Sequence, residues 1–162
     1  MSQWPLDRAG AERWFAVEFN NEAWALVEVG VLPGDKLERL LHLAHAACLH
    51  WSHVGTAIHR QRALDLLAHA YAAGGMGEIA LKYAESAWQL SLQNAEGQTA
   101  FDRAEALSTM AIALRAVGRN GDADSWKQKA IAEMSRLDAD DRAVIERLMS
   151  AAAARLPSTR AD

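Results

Sequence analysis

The chain has a single cysteine, Cys48, and only three prolines among its 162 residues. A lone cysteine excludes an internal disulfide and a cysteine-based zinc cluster. No proline lies between Gly34 and Arg155, so that stretch lacks the residue that most strongly breaks helices. An excess of positive charge is missing too: 17 Lys+Arg stand against 21 Asp+Glu, a net charge of −4. A phosphate backbone calls for a basic excess or stripe, and neither is present, so no nucleic acid is expected as a partner. No apolar run is long enough to cross a membrane, and the N-terminus lacks the basic-then-apolar layout of a signal peptide. The expectation is a soluble cytoplasmic protein without a membrane partner. The sequence also lacks GxxxxGK[ST], GxGxxG after a strand, HExxH and GxSxG. Gly74-Gly75-Met76-Gly77 follows no strand and reads as a hairpin turn. No cofactor is therefore expected.

What the chain does have is an abundance of helix formers with apolar spacing near 3.6 and no sustained alternation of period two. Breaks at Pro33-Gly34, Gly55, Gly74-Gly75, Asn94 to Gly97, Gly118 to Gly121 and Asp138 to Asp141 divide it into seven segments. These predict helices at about 7–29, 36–53, 57–73, 77–93, 100–117, 121–136 and 141–155. The fold class expected is all-α, with antiparallel helices stacked as hairpins in one domain over 1–156 and a disordered tail over 157–162. Asp35 is placed as an N-cap with Glu38 completing a capping box, and Gly118 as a helix-ending glycine. Asp138, Asp140 and Asp141 suit the positive end of the last helix dipole.

Two segments superimpose. Leu64, Leu67, Ala68, Tyr71, Gly75, Ala80, Ala84 and Ala87 match Leu107, Met110, Ala111, Leu114, Gly118, Ala123, Lys127 and Ala130. Large residues on a first helix, a turn glycine and small residues on a second helix describe a tight helical hairpin. The pattern resembles the tetratricopeptide repeat at Ala68, Tyr71, Gly75, Ala80 and Ala87, and again at Ala111, Leu114, Gly118, Ala123 and Ala130. The hairpins are placed at 61–93 and 104–136. The spacing is about 43 residues against the family's 34, and the family's proline after the second helix is replaced by Leu92 and Ser135. A long link over Leu92 to Phe101 is the consequence. Further upstream, Phe19-Asn20, Trp24, His45, His50-Trp51 and Val54-Gly55-Thr56 look like a group of small bacterial helical-repeat proteins of unassigned function.

The resemblance implies that the first helix of each hairpin lines a concave surface. Arg62, Asp65 and His69 form one stripe there, and Glu105, Ser108, Ile112 and Arg115 form its counterpart. Charges of both signs around an apolar contact suit an extended peptide or a partner helix. Asp65 and His69 are an i,i+4 pair, but no nucleophile accompanies them, so binding is favoured over catalysis.

A second reading places a ligand or metal pocket between the first two helices, at Trp14, Glu18, Asn21 and the histidines His42, His45, His50 and His53. Helix rise separates His42 from His53 by about 16 Å, so only the pairs His42/His45 and His50/His53 could chelate. Each needs another helix to supply more ligands, and the sequence assigns no metal ligands. The first helix, apolar nearly all round with Trp14, Phe15, Phe19 and Trp24, also suits a homodimer interface.

Overall fold

In the computed structural model, which describes residues 7–94 and 97–155, the chain folds as seven helices without a strand among the described residues. They are α1 (Arg8–Val27), α2 (Gly34–Val54), α3 (Ala57–Ala73), α4 (Gly77–Gln93), α5 (Ala100–Ala116), α6 (Asn120–Met134) and α7 (Ala139–Arg155). The all-α class and its hairpins are as the periodicity implies. Trp4 and the tail at 157–162 lie outside the described residues.

Local chemistry explains most boundaries. The Asp7 carboxylate accepts from the N–H groups of Ala9 and Gly10, opening α1. Thr99 Oγ1 accepts from Asp102 N at 3.2 Å while Asp102 Oδ2 accepts from Thr99 N at 2.9 Å, a reciprocal box at the start of α5. In the preceding hairpin His59 Nδ1 accepts from Thr56 N, so an imidazole performs the return half of that exchange. Asp138 Oδ1 accepts from Asp141 N in the first turn of α7. The expected cap at Asp35 is corrected: α2 already begins at Gly34, Pro33 is its N-cap and no side chain caps it. Asp35 then contributes only first-turn charge, and Glu38 pairs with His42 instead.

The internal repeat is visible in the backbone. Gly75 and Gly118 adopt φ of +69° and +79° at corresponding turns, where a Cβ would be strained. Ala80, Ala84, Ala87, Ala123 and Ala130 are all buried, so the helices of α3/α4 and α5/α6 approach closely. α1, α3 and α5 form an inner row, with α2, α4 and α6 packed behind.

The last helix gives the array its final form. Ile145 packs with Ala104, Met134 and Leu137, while Leu148 joins the core shared by α1, α2 and α3. α7 therefore lies along the inner row and touches both α3 and α5. The Arg155 guanidinium ties its end to the carbonyls of Val27, Val29 and Gly30, and Arg147 reaches Glu28 at 3.2 Å. Burying Ile145 and Leu148 stabilises this docking by about 2 kcal/mol each. No described helix is long and apolar enough to cross a membrane.

Candidate functional site

The stripe expected to line an open groove does converge, but most of it is interior. Asp65, His69, Glu105 and Ser108 are each under 5% exposed, sandwiched between α3 and α5. This corrects the expectation of a solvent-facing charged surface at these positions. The physical reason is that α7 occupies the concave side and α1 closes the other end, with Trp24 edge-on to His69 at 5.2 Å.

The seam has unusual electrostatics. Neither Asp65 oxygen has a hydrogen-bond partner, and His69 Nδ1 has none either. Burial, reinforced by Glu105, drives the Asp65 carboxyl well above the ordinary range; Thr109 and Gln61 oppose this only in part, neither making a well-formed bond to it. Burial, then the Asp102 charge, pushes Glu105 up to about 8, so its carboxyl is mostly protonated at pH 7. Burial and then Arg155 press the His69 imidazole down to about 3, leaving it neutral with Nε2 3.2 Å from Thr109 Oγ1.

Arg62 is placed at the rim of this seam, where its Nε donates to Asp102 Oδ1 at 2.7 Å. Burial alone would raise the Asp102 carboxyl, but the hydrogen bonds from Arg62 and Thr99 outweigh it and hold it below its ordinary value. Asp102 is the residue that sequence reasoning missed. Its position three after Thr99, the capping-box spacing, was the available signal.

Ile112 and Arg115, the last members of the stripe, do reach an opening. They line a pocket of about 570 Å³ between the ends of α3, α5 and α7 and the start of α6. Small side chains and Met149 form its walls, and its charged lining is Arg115, Lys127 and Arg155 with no carboxylate. Arg115 pairs outside with Asp124, and Arg155 is committed to backbone carbonyls. Lys127 makes no ion pair among the described residues.

The second predicted pocket does not assemble as drawn. Trp14 is 58% exposed, and Glu18 and Asn21 face solvent on the side of α1 away from the histidines. Trp14 is thus not a core anchor, whereas Trp24 is half-buried against the core. The four α2 histidines have separate tasks. His42 lies 3.7 Å from Glu38 at the surface, and His45 Nε2 meets the Tyr71 hydroxyl at 2.8 Å. His50 and His53 both turn to Glu12 of α1, with Nδ1 atoms 2.5 Å and 3.0 Å from the same Oε2. Those hydrogen bonds hold the Glu12 carboxyl down at about 2. Glu12 is the interhelical partner that the sequence could not assign. No family model matches the chain, and neither a curated protein nor a solved structure is detectably similar to it.

Proposed function

We propose that the protein is a non-enzymatic interaction module, of the tetratricopeptide-like kind its repeats resemble, that docks an acidic, apolar segment of a partner protein. The observation that carries this reading is the pocket at Ile112, Arg115 and Lys127, whose charged lining is wholly cationic over an alanine and methionine floor. An apolar side chain on the partner would fill the floor, and a neighbouring carboxylate would meet Lys127. Asp65, His69, Glu105 and Ser108 then act inside the scaffold, positioning α3 against α5, rather than touching the partner. The setting in this reading is the cytoplasm, where the half-buried Cys48 stays reduced.

The test uses fluorescent seven-residue peptides in which leucines alternate with either aspartates or lysines, read by anisotropy against the full chain. The acidic peptide is expected to bind at least about tenfold more tightly, and Lys127→Glu to erase that preference without lowering the melting temperature. Equal binding of both peptides would overturn the reading. So would an acidic preference that survives Lys127→Glu.

A further inference from the structure

At the opposite end of the molecule, α1 and α2 bring a carboxylate and two imidazoles to one point. One potential ligand atom from each of Glu12, His50 and His53 lies within 4.8 Å of the other two. The helix geometry makes this convergence specific. His50 and His53 are one turn apart on α2, so their rings project to the same side, and Glu12 answers from α1 across the hairpin interface.

The surroundings hold these groups in place. The His50 ring is stacked on Phe15 at 5.4 Å and lies beside Phe19 at 5.8 Å, which restricts its rotation. The other Glu12 oxygen, Oε1, lies 3.7 Å from the guanidinium of Arg8, leaving Oε2 aimed at the imidazoles. His50 and Glu12 are mostly covered, while His53 is 43% exposed, so one side of the cluster opens to solvent.

We infer that Glu12, His50 and His53 form a site for a divalent transition-metal cation of the zinc class. Two imidazole nitrogens and one carboxylate oxygen are the donor set that such borderline cations prefer. Calcium and magnesium, which favour oxygen donors throughout, are disfavoured by the same set. Ligand bonds of about 2.1 Å would place tetrahedral donors about 3.4 Å apart. The present contacts of 2.5 Å and 3.0 Å need only a small swing of the Glu12 side chain to reach that spacing. Three protein ligands leave one position for water on the His53 side, the makeup of an exchangeable site rather than a closed structural one. This inference is independent of the peptide-docking pocket, which lies between other helices.

The experiment is isothermal titration of zinc chloride into chelator-treated, tag-free full-length protein, with melting temperature as a second readout. One ion per chain is expected, with a raised melting temperature. His53→Gln and Glu12→Gln should each weaken binding at least about tenfold, while His42→Gln should leave it unchanged. Should Glu12→Gln disturb folding, as circular dichroism would reveal, the half-exposed His53→Gln decides alone. Absence of stoichiometric binding overturns the inference. Binding retained in His53→Gln, or a stoichiometry of one ion per two chains, overturns it as well.

Discussion

The α3–α5 seam and the α1–α2 edge both gather acids and histidines, yet the two regions treat them in opposite ways. In the seam, Asp65 and His69 are buried with polar atoms unpaired, and desolvation drives both toward their neutral forms. At the edge, His50 and His53 share Glu12 through short contacts, and the carboxylate stays strongly acidic. Hydrogen-bond partners are the difference: Glu12 has two imidazoles on one oxygen, whereas the Asp65 oxygens have none. A covered carboxyl that is given hydrogen-bond donors keeps its charge, as Glu12 and Asp102 do, whereas one sealed between helices without them is pushed toward its neutral form.

That contrast can be broken most forcefully at the rim of the seam. Arg62→Ala strips the counter-charge from Asp102, which is 1% exposed, and should cost about 3 kcal/mol in urea denaturation. The matching change at the surface, His42→Ala, should cost under about 0.5 kcal/mol. Equal losses would show that the seam is not sealed. Next in size is a pair of tryptophans on α1. Trp24→Ala, emptying a half-buried position against His69, should cost about 2 kcal/mol, and Trp14→Ser under about 0.5 kcal/mol. A large loss at Trp14, accompanied by a change in sedimentation, would instead mean that the exposed face of α1 is covered by a second copy.

A last contrast, of about the size of the Trp24 effect at most, is a slope with pH. Glu105 and Asp65 hold protons in the folded chain that the unfolded chain releases, so they stabilise below their unfolded values and lose that stabilisation as pH rises. His69 acts in the reverse sense, its contribution growing with pH until its unfolded value of 6.5 is passed. Between pH 6.5 and about 8 the His69 contribution levels off while Glu105 still titrates, and stability should fall by at most about 1.4 kcal/mol per pH unit for that proton. Glu105→Gln should flatten this decline, measured by denaturant midpoints across that window. A wild-type curve that is flat there would mean that Glu105 is ionised in the fold.

Much of the architecture was legible because helix periodicity, turn glycines and small-residue spacing act locally. Gly75 and Gly118 mark equivalent turns, and the alanines of α4 and α6 are buried as the hairpin pattern requires. The candidate sites were less legible. A polar stripe such as Arg62, Asp65 and His69 has the same spacing whether water or another helix lies against it. Asp35 was misplaced as a cap because α2 starts two residues earlier, at Gly34, with Pro33 as its N-cap.

By itself, then, the sequence determined the helices, the repeated hairpin and the His50/His53 pair on one side of α2, since each depends on residues within a few turns of each other. Only the tertiary structure decided that α7 covers the inner row, that Asp65 and Glu105 lie dry while Ile112 and Arg115 stay open, and that Glu12 completes the histidine pair. These outcomes depend on which helix faces meet. That choice is made by burial summed over the whole chain, and no local spacing encodes it.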